Sequence, residues 1–241
     1  MKKKAFLVFV CIVFAALGPG RAVSDSAPFL KPAAAASVPI YFVANAGQAD
    51  AKALFYARTS AYTLWLTRDG FVFDRVEKDA NGAPRRASSA LVFKNARRDV
   101  VLAASEPAGY RVSCFYGRDE AEWRTDIPTS RAVLYKGVYA GIDLRVYGAG
   151  GGIEYDWIVA PGGRPGEIRF SSEGAIATAL DADGNLAVMT PAGRIFHRPP
   201  RAHQIVDGRR VEVEAAFRRT DDGSYGFAIG AYDRGRELVI D

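Results

Sequence analysis

Cysteine and histidine are scarce: the 241 residues hold two of each. Two cysteines cannot build a disulfide-dense scaffold. Cys11 falls in an N-terminal apolar run, which leaves Cys114 alone in the body of the chain, without an intrachain disulfide partner. Its expected role is that of a small buried apolar residue, since a catalytic thiol wants a neighbouring histidine and the local sequence supplies none. His197 and His203 flank Arg198-Pro199-Pro200-Arg201-Ala202, a Pro-broken run that cannot present two ligands one helical turn apart, so no zinc site is expected. Helical periodicity is also missing. No stretch keeps apolar residues at helical spacing for three turns, and Ala46 to Phe55 leaves room for one short helix at most. The Gly-x-Ser-x-Gly elbow and the phosphate-binding P-loop are absent. After the first 18 residues no apolar stretch approaches the length of about 20 needed to span a membrane.

That first stretch reads as an export signal. Lys2, Lys3 and Lys4 precede an apolar run from Ala5 to Gly18, and Gly20-Arg21-Ala22 offers small residues at a cleavage site. The expected boundaries are a signal peptide over 1–22, a flexible Ala/Ser/Pro lead-in over 23–38, and a single all-β domain over 39–241. The expected location is outside the cytoplasm: extracellular, cell-surface or periplasmic. Charge supports this division. The chain has 32 Lys plus Arg against 27 Asp plus Glu, a formal net of +5. Removing the four basic residues of the leader leaves 28 against 27, a net of +1. No long basic run remains, so nucleic acid is not an expected partner.

The rest of the chain alternates with period two. Tyr62 to Thr67 alternates, Arg68-Asp69-Gly70 turns, and Phe71 to Asp74 resumes. Asp-Gly pairs recur at Asp183-Gly184, Asp207-Gly208 and Asp222-Gly223, between further short apolar-alternating runs. Such pairs tolerate positive φ and mark hairpins. Asp79 to Ala87 is the expected long surface loop. Many short strands with regular turns predict an all-β fold, a large antiparallel β-sandwich.

Residues 142 to 159 can be placed in register. Ile142, Leu144 and Val146 are apolar on one side; Ile153, Tyr155, Trp157 and Val159 match them after a glycine-rich turn. Opposed residues share a face, which leaves two registers. One sets Arg145 against Glu154 and Asp143 against Asp156; the other sets Arg145 against Asp156 and Tyr147 against Glu154. In both, Asp143, Glu154 and Asp156 share the polar face with Arg145. Three carboxylates on one face suit a hard cation or the acid pair of a glycosidase. The alternative is an ordinary solvated face that Arg145 neutralises. Asp181-Ala182-Asp183-Gly184-Asn185 places its glycine too early for a calcium loop and reads as a β-turn. With the solvated-face reading preferred for the acids, no cofactor and no bound metal are expected.

Trp65 is the second candidate. Leu64 and Leu66 take one face of their strand, so Trp65 falls on the polar face, opposite Asp74 in a two-residue hairpin register. A ring beside a carboxylate suits stacking against a sugar and bonding to its hydroxyls. The alternative is that a second layer buries the ring.

Blocks of sequence then point to a family. Phe42-Val43-Ala44-Asn45-Ala46-Gly47-Gln48, Leu64-Trp65-Leu66-Thr67-Arg68-Asp69-Gly70, Trp123 to Thr129, Val138 to Leu144, Glu154 to Gly162, Gly230-Ala231-Tyr232-Asp233 and Leu238 to Asp241 occur in its order. They resemble the N-terminal domain of unknown function that precedes SBBP β-propeller repeats in secreted bacterial proteins. The resemblance implies a secreted β-rich module that works beside other extracellular domains, and it brings no catalytic residues. Because its relatives continue into propeller repeats, a stand-alone version or the front end of a split gene is expected here. The combined expectation is a non-catalytic adhesion, assembly or glycan-binding domain, with Trp65, Asp74 and Arg145 as ligand-binding residues. Its expected partners are a glycan, a cell-surface protein or a β-propeller. The alternatives are a carbohydrate-active enzyme using two of Asp143, Glu154 and Asp156, and a structural packing partner for a propeller.

Overall fold

The computed structural model describes residues 39–78, 82–191 and 193–241. The expected signal peptide (1–22) and lead-in (23–38) lie outside the described residues. Eighteen strands follow one another among the residues described. The first five are β1 (Phe42–Ala44), β2 (Phe55–Arg58), β3 (Thr63–Thr67), β4 (Gly70–Lys78) and β5 (Pro84–Phe93). The two longest come next, β6 (Val101–Cys114) and β7 (Arg124–Tyr139), then the hairpin of β8 (Ile142–Ala149) and β9 (Gly152–Val159). A short β10 (Phe170–Glu173) leads into a meander of β11 (Ala177–Leu180), β12 (Leu186–Thr190) and β13 (Gly193–His197). The last five are β14 (Ala202–Val206), β15 (Arg209–Val213), β16 (Ala215–Arg219), β17 (Tyr225–Ile229) and β18 (Leu238–Ile240). Only two 3₁₀ turns, Glu120–Glu122 and Pro165–Glu167, interrupt the strands among the described residues.

One antiparallel sheet takes fifteen of them, in the order β15-β14-β18-β9-β8-β7-β1-β2-β3-β4-β5-β10-β17-β16, with β6 paired to β7 beside that path. Laid flat at about 4.8 Å per strand, β15 and β16 would stand about 60 Å apart. They are separated by Glu214 alone, a span of at most about 7 Å. The sheet must therefore roll until its ends meet, and it is nearly barrel-shaped. The Gly230 amide donates to the Glu214 carbonyl at 2.8 Å at the seam.

The roll is flattened into two facing walls. Phe71 on β4 and Phe93 on β5 meet Tyr135 on β7 at ring-centroid distances of 5.9 and 5.8 Å, and Phe93 meets Trp157 on β9 at 5.4 Å. The alternating apolar residues fill the space between. Leu64, Leu66, Ile142, Leu144, Val146, Trp157 and Val159 all belong to one core that extends from Phe42 to Ile240. Each such side chain contributes about 1.5–3 kcal/mol by leaving water. The meander β11-β12-β13 forms a separate three-stranded sheet whose Leu186 and Val188 join the same core.

Two local expectations are corrected, and the room left for a short helix goes unused. The first hairpin turns at Arg68-Asp69, with Thr67 paired to Gly70, one residue earlier than the Asp69-Gly70 turn predicted. Gly70 is already strand, with φ of +146°, and a Cβ there would stand 2.0 Å from the Leu91 carbonyl oxygen of β5. The glycine serves the close approach of the neighbouring strand rather than the turn. Ala46 to Phe55 contains no helix; the Asn45 amide side chain bonds to the carbonyls of Asp50 (2.9 Å) and Ala53 (2.7 Å) and holds a loop instead. The expected loop over Asp79–Ala87 is shorter, because Pro84 to Ala87 pair with β4 as strand; residues 79–81 lie outside the described residues. By contrast, Asp207-Gly208 is the predicted two-residue turn, with Val206 paired to Arg209 and both turn residues at positive φ.

Candidate functional site

The β8–β9 register opposes Arg145 to Asp156, Tyr147 to Glu154 and Asp143 to Ile158. Of the two registers the sequence allows, this is the one that separates Asp143 from Asp156. The acids then divide by surroundings. Asp143 accepts from the Gly137 amide at 2.7 Å and supports the irregular stretch of β7 between Tyr135 and Tyr139. Asp156 is largely buried, accepts from the Tyr147 hydroxyl at 2.9 Å, and has Arg145 at 3.7 Å. Glu154 is exposed.

Burial pushes the Asp156 carboxyl above the usual carboxylate range; the Tyr147 hydroxyl bond and Arg145 pull it back, while Asp241 and Glu154 push it further up. The Tyr147 phenol is raised as well, by burial first and by Asp156 next. Arg145 lies over the Tyr147 ring at 4.4 Å and pairs with Glu106 at 2.5 Å. Glu106 is a residue the sequence did not single out. It lies 39 positions from Arg145, on β6 just before the register shift between Pro107 and Arg111, with φ of +57°. No local pattern announces such a contact.

Trp65 lies in a row that crosses four strands: Val43, Tyr56, Trp65 and Val72 are successive pairing partners. Trp65 therefore opposes Val72, and the expected opposition to Asp74 is corrected; the one-residue shift of the turn makes Asp74 its diagonal neighbour. The indole N–H still reaches the Asp74 carboxylate at 3.4 Å. Arg86, also missed in the sequence, clamps that carboxylate through two bonds of 2.7 and 2.6 Å. Trp65 is half-buried. Its ring meets Tyr56 at 5.2 Å, beside a small cluster of Val43, Tyr56, Cys114 and Ile127. Cys114 is thus buried among apolar groups, as its sequence predicted. The Tyr56 phenol is pushed up to about 12, by burial first and then by Cys114.

The structure does not bring the two candidates together. From β3 to β8 the path crosses β2, β1 and β7, four strand spacings or about 19 Å. Two clefts open elsewhere on the surface, and neither is lined by Trp65, Asp74, Asp143, Arg145, Glu154 or Asp156. Among the described residues no group of three His, Cys, Asp or Glu side chains is placed to hold a metal ion. Asp181 accepts from the Asp183 and Asn185 amides and closes a turn, as the sequence predicted.

The sequence blocks have structural roles. Phe42 is fully buried, Asn45 holds the following loop, and Gln48 bonds to the Ala44 carbonyl at 2.7 Å and accepts from the Ala46 amide at 2.6 Å. Arg124 donates to the Ala46 carbonyl at 3.0 Å and ties the loop to β7. These features define an all-β module whose polar residues in these blocks hold a rolled sheet and its loops. The profile of the family described as a domain of unknown function, DUF7948, matches residues 42–241, and the chain belongs to that family. Nothing matches among curated proteins or among solved structures.

Proposed function

We propose that this chain is an exported, non-catalytic recognition module, an adhesion or assembly domain that binds a glycan or a cell-surface protein and works beside β-propeller repeats. One observation carries the reading: two of the three carboxylates that could do chemistry are engaged in structure. Asp143 holds a backbone amide, and Asp156 lies under Tyr147 and Arg145. Trp65 supports the glycan arm. It offers a half-buried ring beside an acceptor, Asp74, fixed by Arg86. The Lys2-Lys3-Lys4 leader supports export, and the order of the sequence blocks supports the propeller association.

The test is a glycan array with the wild type, Trp65→Ala and Trp65→Phe. The expected result is loss of binding in Trp65→Ala and its partial return in Trp65→Phe, with thermal melting reported for all three. Wild-type binding by a folded Trp65→Ala removes the ring from the site. A second reading, a carbohydrate-active enzyme, rests on the raised Asp156 carboxyl, which suits a proton donor. Absence of turnover by the wild type on a broad polysaccharide panel dismisses it. So does unchanged turnover in Asp156→Asn.

A further inference from the structure

A cleft of about 990 Å³ lies between the loop that follows β9, the segment that follows β17, and the outer side of β16. Three arginines line it, Arg164, Arg218 and Arg234, and no acidic residue does. Arginines elsewhere on the surface are of two kinds: some, such as Arg58 and Arg131, make no ion pair among the described residues, and six are held by acids. Arg86, Arg97, Arg111, Arg145, Arg210 and Arg236 each hold a carboxylate within 3.1 Å. Arg218 and Arg234 make no ion pair among the described residues, and Arg164 only reaches Glu167 at 3.7 Å with its side chain 82% exposed. Two unpaired guanidiniums and a third held only by the long Glu167 contact, around a hollow that no acid lines, form a local positive field.

The walls are fixed before any ligand arrives. The Gly162 amide donates to the Arg234 carbonyl at 2.9 Å and joins the first wall to the second. The Gly163 amide closes its own loop on the Ala160 carbonyl at 2.8 Å. Phe227 turns into the core, so the floor is strand backbone and the exposed Ala228, which shares a face with Arg218, and Tyr232, half-buried, supplies a ring at the rim. Guanidiniums present planar forks that match the paired oxygens of carboxylate and sulfate. A shallow floor with one ring at its edge suits the face of a sugar.

We infer that this cleft is a second binding site, and that its ligand is a polyanionic glycan held through its carboxylate or sulfate groups. The choice of a glycan rests on the exported-module reading; the anionic character rests on the cleft alone. The volume is at the upper end of ordinary ligand pockets, about 300–1,000 Å³, which suits a stretch of chain rather than a single small ion.

Titration calorimetry at low salt tests it with three probes: alginate for carboxylate, dextran sulfate for sulfate, and neutral dextran. Either charged polymer should bind, and which one does identifies the group; dextran should not. The double variant Arg218→Ala/Arg234→Ala should weaken binding at least 20-fold. Arg111→Ala, which removes a surface charge that already holds Asp126, should change it less than twofold. Lysine at positions 218 and 234 should recover only part of the affinity, because charge returns without the fork. Wild-type affinity in a folded double variant overturns the inference. So does an equal loss in Arg111→Ala, or binding of duplex DNA as tight as that of the best glycan. The Trp65→Ala array result is independent: it can fail while alginate or dextran sulfate still binds here.

Discussion

The Tyr155 hydroxyl of β9 and the His197 Nδ1 of β13 stand 3.0 Å apart, with their rings edge to face. This bond and one from Tyr225 to Thr178 at 3.1 Å fasten the three-stranded sheet to the large one. Enclosure of the imidazole lowers its pKa from 6.5 to about 4, so the ring is neutral near pH 7 and shares one hydrogen bond with the phenol through Nδ1.

A pH dependence follows from that pair. The folded state takes up its proton at lower pH than the unfolded state does. The contribution of His197 is therefore complete above about pH 6.5 and is lost as pH falls through 4. Because both residues keep some surface in solvent, roughly 1–3 kcal/mol should disappear across this window. The raised Asp156 carboxyl has the opposite sign, so the comparison must be with His197→Phe. That variant should start less stable and show a flatter fall of melting temperature between pH 6.5 and 4. An unaltered slope removes His197 from the explanation.

Gly70 and Gly208 test two different demands on glycine. At Gly70 a Cβ would meet the Leu91 carbonyl at 2.0 Å; at Gly208, with φ of +76°, it would meet nothing within 4 Å. Gly208→Ala should cost about 1 kcal/mol, the penalty of a left-handed residue. Gly70→Ala should cost more than about 3 kcal/mol, since a strand must move. Urea denaturation measures both. Similar losses would reject the close-approach account and leave only the backbone conformation.

The strands were legible where the pattern was local. Alternation around Leu144 and Trp157 named the core face, and opposing the apolar sets reduced the hairpin to two registers. Asp207-Gly208 named its turn because both residues take positive φ there. Gly70 misled for a physical reason: the same residue type answers to a turn and to a crowding neighbour, and the neighbour, Leu91, is 21 positions away. The candidate sites were half legible. Trp65 and Asp74 could be paired from one hairpin, but Arg86 and Glu106 reach their carboxylate or guanidinium partners from strands that no short window contains. The closure of the sheet at Glu214 is of the same kind, since pairings between distant strands leave no periodic signal.

Asn45 should be intolerant of both truncation and charge. Its amide nitrogen donates to the Asp50 and Ala53 carbonyls, and its oxygen accepts from the Gly47 and Ala49 amides at 3.0 and 3.2 Å. Asn45→Ala should cost about 2 kcal/mol, because several partners lose a bond at once and are only partly open to water. Asn45→Asp keeps the acceptor but turns a carboxylate toward two carbonyl oxygens, so it should not restore stability at pH 7 and should improve on acidification. A stable Asn45→Asp at neutral pH would mean that the acceptor half alone holds the loop.

The polar face of β8 and β9 allows a sharper separation of roles. Asp143→Asn keeps an oxygen for the Gly137 amide and should leave stability within about 0.5 kcal/mol of wild type, whereas Asp143→Ala should lose about 1–2 kcal/mol. Arg145→Met should lose about 1 kcal/mol, since the guanidinium is about one-third exposed and its pairs are partly screened. What remains is Asp156, buried and without its cation. Protonation becomes easier, and Asp156→Asn should then cost less in the Arg145→Met background than in the wild type. A double-mutant cycle on denaturation free energies reads that coupling directly. Additive losses would show that Tyr147 alone keeps Asp156 in place, and Arg145 would then serve Glu106 of β6 rather than the acids of β9.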